Sequence, residues 1–178
     1  MRSFVGKIIK LLFNPLNRPW INLDLPFPVI FVNLFFQRIA RINGNVKFVV
    51  HYTSLVTGSK DIEIEDWSPS VLKSFAVSGG AYIAVAPNTK LKIGKDTLWA
   101  WNINIQTGNH DFYDRSKFTG QDVVIGRNCW IGGNVSILPG VTLGDNVTVG
   151  ANTVVTKSFP SNVVIAGCPA KVIRTLEI

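Results

Sequence analysis

Between residues 125 and 160 an aliphatic side chain returns at every sixth position: Ile125, Ile131, Ile137, Leu143, Val149 and Val155. That period is neither the 3.6 of an α-helix nor the simple alternation of a long strand. Three residues after each aliphatic stand Asn128, Asn134, Gly140, Asn146, Asn152 and Ser158. Gly, Asn and Asp best tolerate a positive φ. Each hexad therefore reads as a short extended segment that ends in a left-handed corner, with its aliphatic inside. Three such sides close a coil of about eighteen residues, and successive coils stack at roughly 4.8 Å. The fold class is all-β, a three-sided prism of hexapeptide repeats. Each coil buries its aliphatics against the next one.

The register starts earlier and is then interrupted. Ile93, Trp99 and Ile105 are six apart, followed at the corner position by Asp96, Asn102 and Gly108. From Ile105 to Ile125 is twenty residues, which is not a multiple of six. An excursion loop must leave the body between about 111 and 122. Upstream, residues 46–50 and 62–64 read as strands. Residues 71–86 are apolar and irregular, as expected of poorly matched coils. Residues 1–13 fit a short amphipathic helix, ended by Pro15 and Pro19. Residues 29–41 fit a second helix, with Asn43-Gly44-Asn45 as the turn after it. Two units result: residues 1–45, a partly helical cap or membrane-contacting segment, and 46–178, the repeat domain.

Composition narrows the function classes. Apolar residues make up 47% and charged residues 16%, so the chain is globular. The net charge is +7, and residues 1–47 alone hold seven Lys/Arg against one Asp. Such an arm suits an anionic membrane surface or simple solvation. No nucleic-acid partner is expected. Residues 1–13 lack a clear cleavage site, and the apolar run 27–36 is about half a membrane span. Neither a signal peptide nor a transmembrane helix is expected, so the expected location is the cytoplasm, either free or peripheral to the inner face of the membrane. Two cysteines, Cys129 and Cys168, offer neither a disulfide framework nor metal-ligand spacing.

The hexads, together with Asn109-His110-Asp111 before the loop, Cys129-Trp130-Ile131-Gly132, Thr148-Val149-Gly150-Ala151, Val155-Thr156-Lys157 and the ending Gly167-Cys168-Pro169-Ala170-Lys171, resemble the hexapeptide-repeat acyltransferases. The likeness is nearest to the galactoside, maltose and xenobiotic acetyltransferase branch and to the sugar O-acetyltransferases of surface-polysaccharide synthesis. It is strong over about 81–175. It implies a left-handed parallel β-helix, although parallel crossovers are ordinarily right-handed. It also implies a homotrimer with sites between neighbouring prisms, acetyl-CoA as co-substrate, no metal, and a sugar or glycan acceptor.

Transfer of an acetyl group to an alcohol needs a base, a thioester in reach and a donor for the oxyanion. His110 fits the base, as imidazole titrates near neutrality and the resemblance gives a histidine at the loop base this role. Asp111, Asp114 and Asp122 are candidates to orient it. A backbone N–H at Gly133 matches the oxyanion donor. For coenzyme A, the resemblance points to Ala100, Gly133 and Ala151 along the pantetheine arm. Thr156, Lys157, Lys171 and Arg174 match positions near the phosphates. Trp130 borders the thioester end or serves trimer packing. Phe112, Tyr113 and Trp101 are aromatics suited to a sugar face, whereas Trp99 is in register for the core. The acceptor-holding Asn of the galactoside branch has no secure equivalent, since Gly79-Gly80 stand in that region.

Other readings of the prism fit less well. A γ-class carbonic anhydrase needs three zinc-binding histidines, and the chain has two histidines in all. A structural or ice-binding solenoid leaves the His110 loop without a role. An N-acetyltransferase acting on an amino sugar would share both fold and coenzyme site.

Overall fold

A computed structural model describes residues 25–177. Its strands form three parallel sheets, visited in rotation. Face one stacks Leu55–Thr57, Tyr82–Ala84, Asn104–Gln106, Ser136–Ile137 and Val154–Val155. Face two holds Ile62–Ile64, Leu91–Ile93, Val123–Ile125 and Thr142–Leu143. Face three runs Leu98–Trp99, Trp130–Ile131, Thr148–Val149 and Val163–Ala166, and Lys171–Thr175 closes it antiparallel. Thr148 lies on Trp130, Val154 on Ser136 and Thr142 on Val124, so one full coil takes eighteen residues.

The corner residues adopt the backbone that the hexad demands. Asp96, Asn102, Asn128, Asn134, Asn146 and Asn152 have φ between 52° and 61°, and Gly140 has 82°. Gly108 and Ser158 do not share it; at Gly108 the chain is already extended and leaving the prism. The asparagines also bond to one another between coils. Asn128 Nδ2 donates to Asn146 Oδ1 at 2.8 Å, Asn146 Nδ2 to Asn162 Oδ1 at 2.8 Å, and Asn134 Nδ2 to Asn152 Oδ1 at 3.1 Å.

Two inward positions per hexad fill the prism. Ile125, Ile131, Ile137, Leu143, Val149 and Val155 are buried, and so are Cys129, Val135, Val141, Val147 and Thr153 two residues before each following aliphatic. Trp99 is buried with its edge against the Phe75 ring, 4.7 Å between centroids.

The first coil departs from the pattern. Where face three should have its first strand, helix α2 (Pro69–Val77) lies instead, with Pro69 in its first turn and Val71, Leu72, Phe75 and Ala76 buried. Apolar side chains at helical spacing explain why residues 71–86 match no hexad; they hold this helix and then the Tyr82–Ala84 strand. Residues 46–50 are likewise no strand. Their side chains are mostly buried, while Gln37 Nε2 binds the Val46 and Phe48 carbonyls at 3.1 and 2.9 Å and competes with any ladder. The helix read over 29–41 is α1, Phe27–Arg38. It packs on α2 through the Asn33 amide, which donates to the Ala76 carbonyl at 2.8 Å. The helix expected over 1–13 lies outside the described residues.

Candidate active site

The excursion at the register break is a β-hairpin whose turn is residues 111–117. Gly108–His110 pairs antiparallel with Phe118–Gly120 at the edge between faces one and two. Its base is tied down by buried hydroxyls: Thr107 Oγ1 and Thr89 Oγ1 are 2.6 Å apart, and Thr107 Oγ1 accepts the Ala86 N–H at 2.8 Å. The Gln121 N–H returns to the Thr107 carbonyl at 2.8 Å. A Cβ on Gly108 would collide with the Phe118 ring, so glycine is what lets the hairpin close there.

His110 ends the outgoing strand and is exposed. Its Nδ1 donates to the Arg115 carbonyl at 2.8 Å, because a carbonyl can only accept. That bond leaves the Nε2 lone pair free. The Phe118 ring meets the imidazole edge-on at 5.4 Å. A cavity of about 350 Å³ opens beside it, lined among others by Thr57, Tyr82, Gln106, Asn109, His110 and Phe118.

None of the three candidate carboxylates touches the imidazole, and a backbone carbonyl orients it instead. Asp111 Oδ1 accepts the N–H groups of Asp114 and Tyr113, both at 2.9 Å, and these hold its carboxyl below the ordinary range. Asp114 is held low by the Ser116 hydroxyl at 2.6 Å, then by the Ser116 N–H and Lys117. Asp122 Oδ1 accepts the Lys90 N–H at 2.8 Å. Asp111 and Asp114 are thus spent on the hairpin's own turn, and Asp122 on the Lys90 backbone.

The remaining candidates fall on other parts of the prism. Gly133 and Ala151 lie at the edge between faces three and one, on adjacent coils. Since Trp99 pairs with Ile131 and Ile131 with Val149, the residue level with them is Trp101, and Ala100 stands one step earlier. The N–H groups of Trp101, Gly133 and Ala151 meet no acceptor among the described residues, leaving a row of three free donors. A Cβ added at Gly133 would come no nearer than 3.4 Å to another atom, so this corner is open. Trp130 is exposed on face three between Leu98 and Thr148. Lys171 and Arg174 lie on the closing strand of that face. Thr156 and Lys157 are exposed at the edge between faces one and two, with Lys157 Nζ 5.7 Å over the Phe159 ring. Within one chain His110 and Gly133 are therefore separated by the width of face one, on the order of 15–20 Å.

Residues 122–157 match the family model described as bacterial transferase hexapeptide (six repeats). A putative acetyltransferase of Dictyostelium discoideum is 44% identical over 108 residues, which are 58% of this chain and 55% of that protein. A putative lipopolysaccharide biosynthesis O-acetyl transferase of Escherichia coli (strain K12) is 34% identical over 148 residues, 75% of this chain and 74% of its own. The chain belongs to the hexapeptide-repeat acyltransferase family. It spans about half the length of the Dictyostelium relative and three quarters of the Escherichia coli one. The crystal structure of a maltose O-acetyltransferase from Clostridium difficile superposes with a TM-score of 0.50 at 26% identity, covering 99% of this chain and 87% of that one.

Against this hexapeptide-repeat frame, Tyr82 and Gln106 are the residues that sequence reasoning missed. They are outward-facing neighbours of Ile83 and Ile105 on adjacent coils of face one, beside the hairpin. Alternation about those two isoleucines was the available signal. Among the described residues no cluster of three or more His, Cys, Asp or Glu is placed to hold a metal ion.

Proposed function

We propose that this chain is an acetyl-CoA-dependent O-acetyltransferase acting on a sugar hydroxyl, as in the making of a surface polysaccharide, with His110 as general base. The observation that carries the reading is the His110 imidazole, with Nδ1 spent on the Arg115 carbonyl and Nε2 free beside a cavity lined by both polar and apolar side chains. Its Nε2 takes the proton of the acceptor hydroxyl as that oxygen bonds to the acyl carbon. The same proton then passes from His110 to the departing thiol sulfur.

Acetyl-CoA would supply the activated acyl carbon. The open corner at Gly133 suits it: three free N–H groups in a row fit the amides of a pantetheine arm, with Ala100 and Ala151 leaving room for close approach. Of the three, the Trp101 and Ala151 N–H groups serve the arm, and the Gly133 N–H is the proposed donor to the tetrahedral oxyanion. Lys171, Arg174, Thr156 and Lys157 are the proposed phosphate contacts. His110 and Gly133 lie at opposite edges of face one, so a complete site needs two prisms. We therefore read the protein as a homotrimer, with His110 of one chain facing Gly133 of its neighbour. The left-handed wind of the coil, the division near residue 45 and a cytoplasmic location belong to the same reading.

Incubation with acetyl-CoA and a panel of sugars, followed by thiol release and product mass, tests it. The expected product gains one acetyl group as an ester that alkaline hydroxylamine cleaves. A hydroxylamine-resistant product would mean an amide and an amino-sugar acceptor. Absence of thiol release with every acceptor would end the proposal.

A further inference from the structure

Helix α1 (Phe27–Arg38) turns Asn33, Leu34 and Gln37 inward and leaves an apolar outer side. Asn33 and Gln37 are each 2% exposed. Asn33 bonds the Ala76 carbonyl and accepts the Tyr52 N–H, while Gln37 bonds the Val46 and Phe48 carbonyls and accepts the Val50 N–H. These contacts fix which side faces the prism. The opposite side presents Phe31 at 53% exposure and Phe35 at 46%, with Val32, Ile39 and Ile42 beside them. A helix packed on a water-soluble body would carry polar side chains on that outer side. An exposed patch of this kind marks something that covers it.

We propose that this face docks on an anionic lipid surface, with α1 lying in the plane of the headgroups. Charge selects this occupant over a second copy of the chain. Between residues 25 and 50 the chain carries Arg38, Arg41 and Lys47 and no Asp or Glu. Arg41 and Lys47 are exposed next to α1. Two copies meeting through this face would oppose like charges, whereas anionic headgroups would neutralise them. The helix has 12 residues, and among the described residues no helix is long and apolar enough to cross a membrane, so α1 lies on the surface and does not span it. Docking there brings the end of the prism that holds the first coils to the membrane.

The test is sedimentation of the full chain with vesicles of phosphatidylcholine alone or with about 30% phosphatidylglycerol. The chain should pellet with the anionic vesicles and largely release when salt rises from about 50 to about 500 mM. The double variant Phe31→Ser/Phe35→Ser should lose at least about tenfold in partitioning, with unchanged circular dichroism and sedimentation velocity. Arg41→Glu/Lys47→Glu should abolish the preference for anionic vesicles while leaving the fold intact. Unchanged partitioning of the Phe31→Ser/Phe35→Ser variant would overturn the proposal and assign lipid binding to residues 1–24. Failure of the full chain to bind vesicles would overturn it too, and self-association that the same variant removes would give the face to a second copy. Acetyl transfer to a free sugar does not enter these outcomes.

Discussion

At His110 the nitrogen that bonds the Arg115 carbonyl cannot also serve as the base, so Nε2 is the working atom. The imidazole sits on a hairpin outside the repeat core, held by its own turn. Replacing it removes no buried contact. His110→Ala is expected to lower turnover by about 10²–10⁴-fold with the melting curve unchanged. Steady-state thiol release and circular dichroism on the same preparation check this, and full turnover in the variant would take the base role away. The histidine itself could be found from the sequence, because it stands where the hexad register breaks. Its orienting partner could not: a backbone carbonyl five residues away leaves no trace in residue identity.

Corners and coil-to-coil bonds act at the level of the element. Asn134 holds φ at 57° and bonds Asn152 in the next coil. Asn134→Ala should cost about 1–2 kcal/mol through the left-handed backbone alone, and Asn134→Gly less, as read from denaturant unfolding. Equal losses in the two variants would mean that the side-chain bond, and not the backbone, matters. At the edge between faces two and three, Glu65 clasps the Arg127 guanidinium, with Nε 2.9 Å from each carboxylate oxygen, and accepts the Lys95 N–H at 2.9 Å. Arg127 first, then Lys95, pushes the Glu65 carboxyl from 4.5 down to about 2. Because the folded value is the lower one, the contribution is present above about pH 4.5 and is lost as pH falls toward 2. Glu65→Gln should flatten the fall of Tm with pH across that window. An unchanged slope would show the clasp to be worth nothing in solution, as many exposed ion pairs are.

For the molecule as a whole, the decisive fact is that His110 and the open corner at Gly133 lie on different edges of one prism. If two chains complete each site, the inactive variants His110→Ala and Gly133→Trp should complement each other when co-expressed. Random mixing in a trimer leaves about one site in four with both partners intact. Activity near a quarter of the unmodified level is therefore expected from the mixture. A mixture as inactive as either parent would place both groups in a site within one chain.

The strict hexad, with Asn, Asp or Gly three residues after every aliphatic but Val155, by itself determined the three-sided parallel coil, its eighteen-residue turn and the buried set from Ile125 to Val155. Those features follow from local backbone preference and a fixed period, which any stretch of chain carries within itself. The tertiary structure alone decided that α2 takes the place of a strand in the first coil, that α1 turns the Asn33 and Gln37 amides inward, and that Tyr82 and Gln106 join His110 around one cavity. Each of these depends on which distant backbone groups need a hydrogen-bond partner and on which coils become neighbours. Such facts arise only when residues far apart in the chain are brought together.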